Sequence, residues 1–395
     1  MRPVSVRETG SVSRVHPVPS EPIEETGERV SANPEVTPFA CAFLCRAGFE
    51  PALVAELAAR GISAPPDAAV TTAGLVTVQS LLGADGARVL GAPYIFERQR
   101  MTNVLRFSNS GLKPLAREIV RHLLRGVVRS QHAWTVHAFG AGPNDGGTAT
   151  GRAKRLEDVF LSMCRARFSA VARRYVPAPE AAARGAETLV VQLCMTGGGL
   201  LGCVMKLREL ADSHPGGIHR MRFDPLAPSR SYLKIEEAFG LMGEQPSRGQ
   251  RVVDLGAAPG GWTYAFLKRG CTVTAVDRAE LRLKSVGETD GRVRHLRADG
   301  ITYVPPPKLL PVDWLVSDML QPVGQNIGMI RKWMDNRWMR RFVFNVKLPQ
   351  GEPLAALRPL EKYLASVRGS RFTIRQLYHD REEVTVFGHL SAQAN

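Results

Sequence analysis

VVDLGAAPGGWTYAFLKRGCTVTAVDRAE, residues 252–280, reads as an apolar strand, a glycine turn, a helix and a second strand closed by an acid. That order is the opening unit of a doubly wound α/β sheet. A dinucleotide-binding turn runs G-x-G-x-x-G, its middle glycine letting the backbone approach a pyrophosphate. Here the three positions are Gly256, Ala258 and Gly261, so the middle glycine is missing, and Pro259 stiffens the turn. No Lys, Arg or Ser stands ready to grip a phosphate. The turn therefore suits a ligand without one there, and S-adenosylmethionine is such a ligand. Asp277 lies 277 − 256 = 21 residues past the first glycine, where an acid can accept hydrogen bonds from both ribose hydroxyls. Asp299, ending RVRHLRAD, is placed to meet the adenine amino group, and Asp254 to orient the turn through its backbone amides. A dinucleotide site, or a turn that binds nothing, is the competing reading.

Outward from this unit, RVVDLG, TVTAVD, RVRHLRAD, DWLVSD and RFVFNVKL alternate with helices, and FTIRQLYH and EEVTVFG form a final antiparallel pair. This predicts a mostly parallel Rossmann-like sheet over 231–395 with an antiparallel edge. HPGGIHRMRFDPLAPSR supplies a linker at 216–230, and His214 and His219 read as loop residues rather than ligands. Residues 38–215 read as an α+β region. FACAFL runs into a helix ending at Gly61, and PLAREIVRHLLRGVVR places Leu115, Ile119, Leu123 and Val127 on one stripe. WTVHAF is a strand, GAGPNDGGTATG (140–151) a flexible loop, and 155–174 a helix. TLVVQLCMTGGGLLGCVM, 18 uncharged residues, is a hairpin turning at Gly197–Gly199 rather than a membrane span. Residues 1–37, rich in Pro, Glu and Ser, read as a disordered tail.

The chain has 395 residues, with 52 Lys+Arg against 37 Asp+Glu, a net charge of +15. A field of that sign favours a polyanion such as nucleic acid, although an arginine-rich composition alone gives the same balance. Residues 152–174 hold seven Lys+Arg and two Asp+Glu, so Arg165, Arg167, Arg173 and Arg174 form either an RNA-facing surface or a solvated face. Six cysteines without zinc-like spacing point to buried thiols and to no metal. With no signal pattern at the start, the chain is expected in the cytoplasm.

The methyl acceptor is read from the strand ends. SDMLQP replaces the (N/D)PP(Y/F) signal of base-amino methylation, and no cysteine is placed for attack on cytosine. The chain offers Lys234, Asp318, Lys347 and Glu383 instead. Attack by a ribose 2′-hydroxyl asks for a proton acceptor. Lys347, after an apolar strand, is expected to be desolvated and pushed toward the neutral amine by Lys234, with Asp318 and Glu383 fixing the geometry.

DLGAAPGGW, SDM, NVKLP and YHDREEVTV resemble the FtsJ-like 2′-O-ribose methyltransferases and their Lys-Asp-Lys-Glu tetrad. APSRSYLKIEEAF, FLCRAGFE and LYHDREEVTV narrow the resemblance to the RlmM family. The resemblance implies methylation of a cytidine ribose in 23S rRNA and a THUMP-type RNA-binding region in the amino-terminal half. Ser231, Ala258, Pro259, Gly260, Gly261, Asp277, Asp299 and Asp318 become S-adenosylmethionine contacts, and Lys347 the proton acceptor. A monomer acting on naked or precursor RNA is expected. Family members often carry Cys where this chain has Ala258, a small change where the turn uses backbone. Methylation of another RNA such as tRNA, and RNA binding without catalysis, are the alternatives.

Overall fold

The computed structural model describes residues 37–62, 73–79, 89–142, 147–283, 291–319 and 321–391. The tail expected over 1–37 lies outside them except for Thr37, which opens the first strand. Two sheets make up the frame. The first joins β1 (Thr37–Leu44), β2 (Leu75–Val78), β3 (Gln99–Ser108), β4 (Trp134–Gly140), β5 (Leu189–Thr196) and β6 (Gly199–Lys206) in the order β2-β1-β3-β6-β5-β4. Only the β4–β5 pair is parallel, and the β5–β6 hairpin turns at the glycines as expected.

Alternation decides which side of this sheet each residue covers. Trp134, Val136 and Ala138 of β4 pack with Leu115, Ile119, Leu123 and Val127, and with Leu156 and Phe160. The predicted stripe is thus buried, although its helix breaks into Leu112–His122 and Leu124–Arg129. One expectation fails here. The helix spans Gly147–Arg167, so 147–151 are helical rather than loop, because Thr150 and Ala153 bury against the sheet. Thr150 Oγ1 also accepts the Gly140 N–H at 3.0 Å.

The second sheet joins β7 (Arg251–Leu255), β8 (Thr272–Val276), β9 (Val293–Leu296), β10 (Val312–Ser317), β11 (Met339–Lys347), β12 (Ser370–Arg375) and β13 (Glu383–Leu390) in the order β12-β13-β11-β10-β7-β8-β9. Five strands are parallel, and β12 and β13 form the antiparallel edge. On one face Val252, Trp314, Val316 and Val343 meet Ile235 and Phe239 of the helix Tyr232–Met242 and Phe266 of the helix Gly261–Lys268. On the other, Leu255, Leu315, Phe342 and Phe344 meet Ile330 and Trp333 of the helix Val323–Asp335 and Leu357 and Leu360 of the helix Pro353–Ser366. The predicted doubly wound sheet is present.

The two sheets share a core, since Phe43, Leu53 and Phe96 belong to the same apolar cluster as Phe342 and Leu360. Polar ties reinforce it. Gln376 N–H donates to Ile95 O at 2.7 Å, Arg375 to Glu97 O at 2.9 Å and Arg46 to Asp380 O at 2.8 Å. The segment that receives these bonds is stiffened by a buried ion pair. Arg100 Nη2 and Nε reach Glu97 at 2.6 and 2.7 Å, with side chains 1% and 0% exposed. Removing one partner of such a pair leaves an uncompensated charge, at a cost of about 3–5 kcal/mol. Glu97→Gln should lower unfolding stability by that amount in a denaturant titration. A loss below about 1 kcal/mol would show that the pair does not stiffen this joint.

Candidate active site

The strand register brings the predicted residues to one edge. Leu255, Val276 and Ser317 close their pairings at one level, so Gly256, Asp277 and Asp318 each follow directly after. From β7 the chain runs outward to β8 and β9 and then crosses back to β10 on the other side of β7, and this reversal is where open α/β sheets bind ligands. A cleft of about 1010 Å³ lies there, lined by Ser231, Lys234, Gly256, Ala258, Pro259 and Asp318 among others.

Each glycine of the turn has a physical reason. Gly256 has φ +73°, and a Cβ on it would stand 2.3 Å from Met319 Cγ. Gly260 has φ +113°, and a Cβ on Gly261 would strike the Ser231 and Ser229 hydroxyls at 2.4 and 2.5 Å. The Ala227–Ser231 stretch thus lies hard against the turn, held by Trp262 Nε1 donating to Ser231 O at 3.0 Å.

The acids divide the work differently from expectation. Asp277, not Asp254, orients the turn: its Oδ2 accepts the Ala258 N–H at 2.9 Å and its Oδ1 the Ala279 N–H at 2.8 Å. Asp254 is fully buried in β7 and accepts from Thr263 Oγ1 at 2.6 Å, while its Oδ1 has no partner. Burial pushes its carboxyl up to about 7 despite the Thr263 bond. Asp299 stands beyond β9, half-buried, paired with Arg278 at 2.7 Å. Neither Asp277 nor Asp299 lines the cleft wall that holds Lys234.

Three of the four tetrad residues meet. Lys234 Nζ lies 2.5 Å from Glu383 Oε1 and 3.4 Å from Asp318 Oδ1, its side chain 13% exposed. Burial alone would lower this ammonium's pKa, but Asp318, Asp380 and Glu383 outweigh it and hold the value above ordinary lysine. Lys347 differs. It stands opposite Glu383 in the β11–β13 register but is exposed. The desolvation expected for Lys347 falls on Lys234 instead, because β11 runs three residues past its last pairing with β10 and so has no strand on that side at Lys347.

Sequence reasoning missed the layer beneath. Asn345 Nδ2 donates to Asp318 at 2.6 Å. Thr385 Oγ1 lies 2.7 Å from Asn345 Oδ1 and 2.9 Å from Asp380 Oδ2. Burial raises the Asp380 pKa well above the usual range, against the pull of Lys234. Thr385 donates to Asn345 Oδ1 and Asn345 Nδ2 to Asp318, so the bonds run in one direction toward Asp318. The available signal was Asn345 in the apolar run RFVFNVKL, two residues from Lys347 and so on the same face.

His214 and His219 are joined rather than merely in a loop. Asp212 reaches His214 Nδ1 at 2.9 Å and His219 Nε2 at 2.7 Å. The ligand-type atoms of the three lie within 4.8 Å of one another, and these hydrogen bonds account for their approach. All six cysteines are free and buried, as expected. No helix among the described residues is long and apolar enough to cross a membrane. Arg165, Arg167 and Arg173 are exposed, whereas Arg174 donates to His132 O and Val127 O and is a structural tie.

The raised Asp254 carboxyl has a sign. A folded-state value near 7 against about 3.9 unfolded makes the folded chain the stronger proton binder in between, so this group's contribution is lost as pH rises from about 4 to 7. Asp254→Asn removes that loss. The melting temperature of the variant relative to wild type should climb between pH 4 and pH 7. A difference that is flat or falling with pH would contradict the assignment.

With this geometry in view, residues 227–335 match the family described as FtsJ-like methyltransferase. The chain is similar to proteins named ribosomal RNA large subunit methyltransferase M. It is 43% identical over 183 residues to that of Marinomonas sp., covering 44% of this chain and 51% of the relative. It is 44% identical over 183 residues to that of Thauera aminoaromatica, covering 44% and 49%. With that of Teredinibacter turnerae it shares 40% over 221 residues, covering 53% and 60%. The chain spans about half the length of the curated relatives it matches. The glycine turn Gly256–Gly261 and the strand-end acids Asp277, Asp299 and Asp318 all fall within the stretch 227–335 that is similar to the FtsJ-like methyltransferases.

Proposed function

We propose that this protein transfers a methyl group from S-adenosylmethionine to the 2′-hydroxyl of a ribose in the large-subunit rRNA, a cytidine of 23S rRNA. One observation carries the reading: the Lys234–Asp318–Glu383 cluster and the Gly256–Pro259 part of the turn line the same cleft. S-adenosylmethionine, when bound, supplies an electrophilic sulfonium methyl. The site fits it, because the turn offers backbone in place of phosphate grips and the buried Asp254, which borders the cleft, keeps an unpartnered Oδ1. Ser231, Asp277, Asp299 and Asp318 are the further contacts we assign to it.

Lys234, fixed as an ammonium, orients Asp318 and Glu383 and favours negative charge growing on the attacking oxygen. Lys347 is the proposed proton acceptor. Since it is exposed in the free protein, that role depends on RNA covering the rim and displacing its water. Arg46, Arg98, Arg220, Arg230 and Arg381 also line the cleft, and such a wall suits a phosphate backbone. Arg46 and Arg98 come from the amino-terminal sheet. We therefore assign residues 38–215, as a THUMP-type region, to holding RNA, joined by 216–230 to the methyltransferase region 231–395.

Two variants test the reading with labelled S-adenosylmethionine and unmethylated 23S rRNA. Lys347→Ala should reduce transfer by about 10²–10⁴-fold with cofactor affinity unchanged, and full turnover would remove Lys347 as the proton acceptor. Asp277→Ala should weaken cofactor binding by roughly 10–100-fold, the worth of hydrogen bonds to a charged group, as read by calorimetry. An unaltered affinity would displace the ribose from this acid. Transfer to tRNA but not to 23S rRNA would leave the chemistry and replace the substrate.

A further inference from the structure

Between β12 and β13 the chain carries a histidine that the tetrad does not use. His379 lines the cleft beside Asp380 and Glu383, its side chain 12% exposed. Its Nδ1 lies 2.7 Å from Glu237 Oε2. The same carboxylate accepts the backbone N–H groups of Tyr378 at 2.7 Å and of His379 at 3.1 Å. A carboxylate surrounded by three donors acts as acceptor throughout, so the imidazole proton sits on Nδ1 and Nε2 bears a free lone pair. Nε2 bonds to no described residue and is not among the buried unpartnered atoms, so it opens onto the cleft.

The placement follows from the helix Tyr232–Met242. Lys234 and Glu237 are three residues apart and share a face, so one helix holds Glu383 through Lys234 and His379 through Glu237. Glu237 is 3% exposed, and a buried carboxylate committed to three bonds fixes the ring and its tautomer together. The groups around His379 are already engaged. Lys234 is taken by Asp318 and Glu383, and Asp380 by the Leu377 N–H and Thr385. With Nδ1 held by Glu237, the lone pair of the neutral ring is on Nε2, aimed into a space otherwise walled by charge. It would repel phosphate and carbonyl oxygens and attract an O–H or N–H.

We propose that His379 is a substrate-binding residue whose Nε2 accepts a hydrogen bond from the acceptor nucleotide, from its ribose 2′-hydroxyl or from an exocyclic amine of its base. This rests on the ribose-methylation reading. The test begins with wild-type full-length protein and unmethylated 23S rRNA, mapping where the methyl group goes. No transfer by wild type would fail that reading and say nothing against His379.

Given transfer, His379→Phe keeps a flat ring and removes the acceptor. It should raise KM for RNA or lower kcat by about tenfold or more with S-adenosylmethionine affinity unchanged, and it lowers the melting temperature because buried Glu237 loses a donor. His379→Gln, which returns an acceptor oxygen at similar reach, should recover most of the loss. Should the Phe variant not fold, His379→Asn takes its place, since its amide keeps a donor toward Glu237 and does not reach the position of Nε2. RNA with a single 2′-deoxy nucleotide at the mapped position separates the two donors through binding competition. An effect of His379→Phe that vanishes on this RNA assigns the hydroxyl, and one that persists assigns the base amine. Kinetics within twofold of wild type in the folded Phe or Asn variant, or no recovery with Gln, would overturn the proposal.

Discussion

One ammonium joins three separate parts of the second sheet. Lys234 comes from a helix that enters from the connecting segment, Asp318 from the end of β10 and Glu383 from the start of β13. Three charges this poorly exposed lose much of their hydration, and their mutual attraction offsets that loss only when the remaining lone pairs are used. Here they are used: Asn345 donates to Asp318, and the Glu382 N–H to Glu383 at 3.0 Å. In the layer below, Thr385 links Asn345 to the buried Asp380, which the Leu377 N–H also holds.

Topology turns that cluster into a site. Parallel strands place their carboxyl ends at one edge, and the reversal between β7 and β10 leaves a crevice there that no crossover helix fills. The glycine turn forms one wall and the ion cluster another. The shared apolar core fixes the first sheet against the second, so Arg46 and Arg98 reach the same space. The amino-terminal half is therefore part of the cleft wall rather than a remote appendage.

Much of this is legible in the residues. The strand order follows from apolar runs separated by helical periods, and the glycine turn from Gly256, Gly260 and Gly261. The meeting of Lys234, Asp318 and Glu383 follows from strand ends that must share an edge. The rest depends on neighbours that a linear pattern does not specify. Burial of Lys347 was inferred from the apolar residues before it, but exposure at a strand terminus is set by what stands beside it, and there the sheet stops. Asp277 rather than Asp254 receives the turn amide because that amide points across to the next strand rather than back along its own. The helix start at Gly147 was hidden by glycines that disfavour helix locally, a preference overridden by burial of Thr150 and Ala153. Asn345, Thr385 and Glu237 were visible only as polar residues among apolar ones, since their partners lie up to 142 residues away.

The measurement that bears most directly on the central claim is mass-spectrometric mapping of ribose methylation in 23S rRNA from cells carrying the intact gene, no gene, or a gene encoding Lys234→Ala. If the clustered ammonium beside the glycine turn is the seat of ribose methylation, one 2′-O-methyl group is present with the intact gene and absent from the other two. The same methyl group persisting with Lys234→Ala, or an identical map without the gene, would contradict the account.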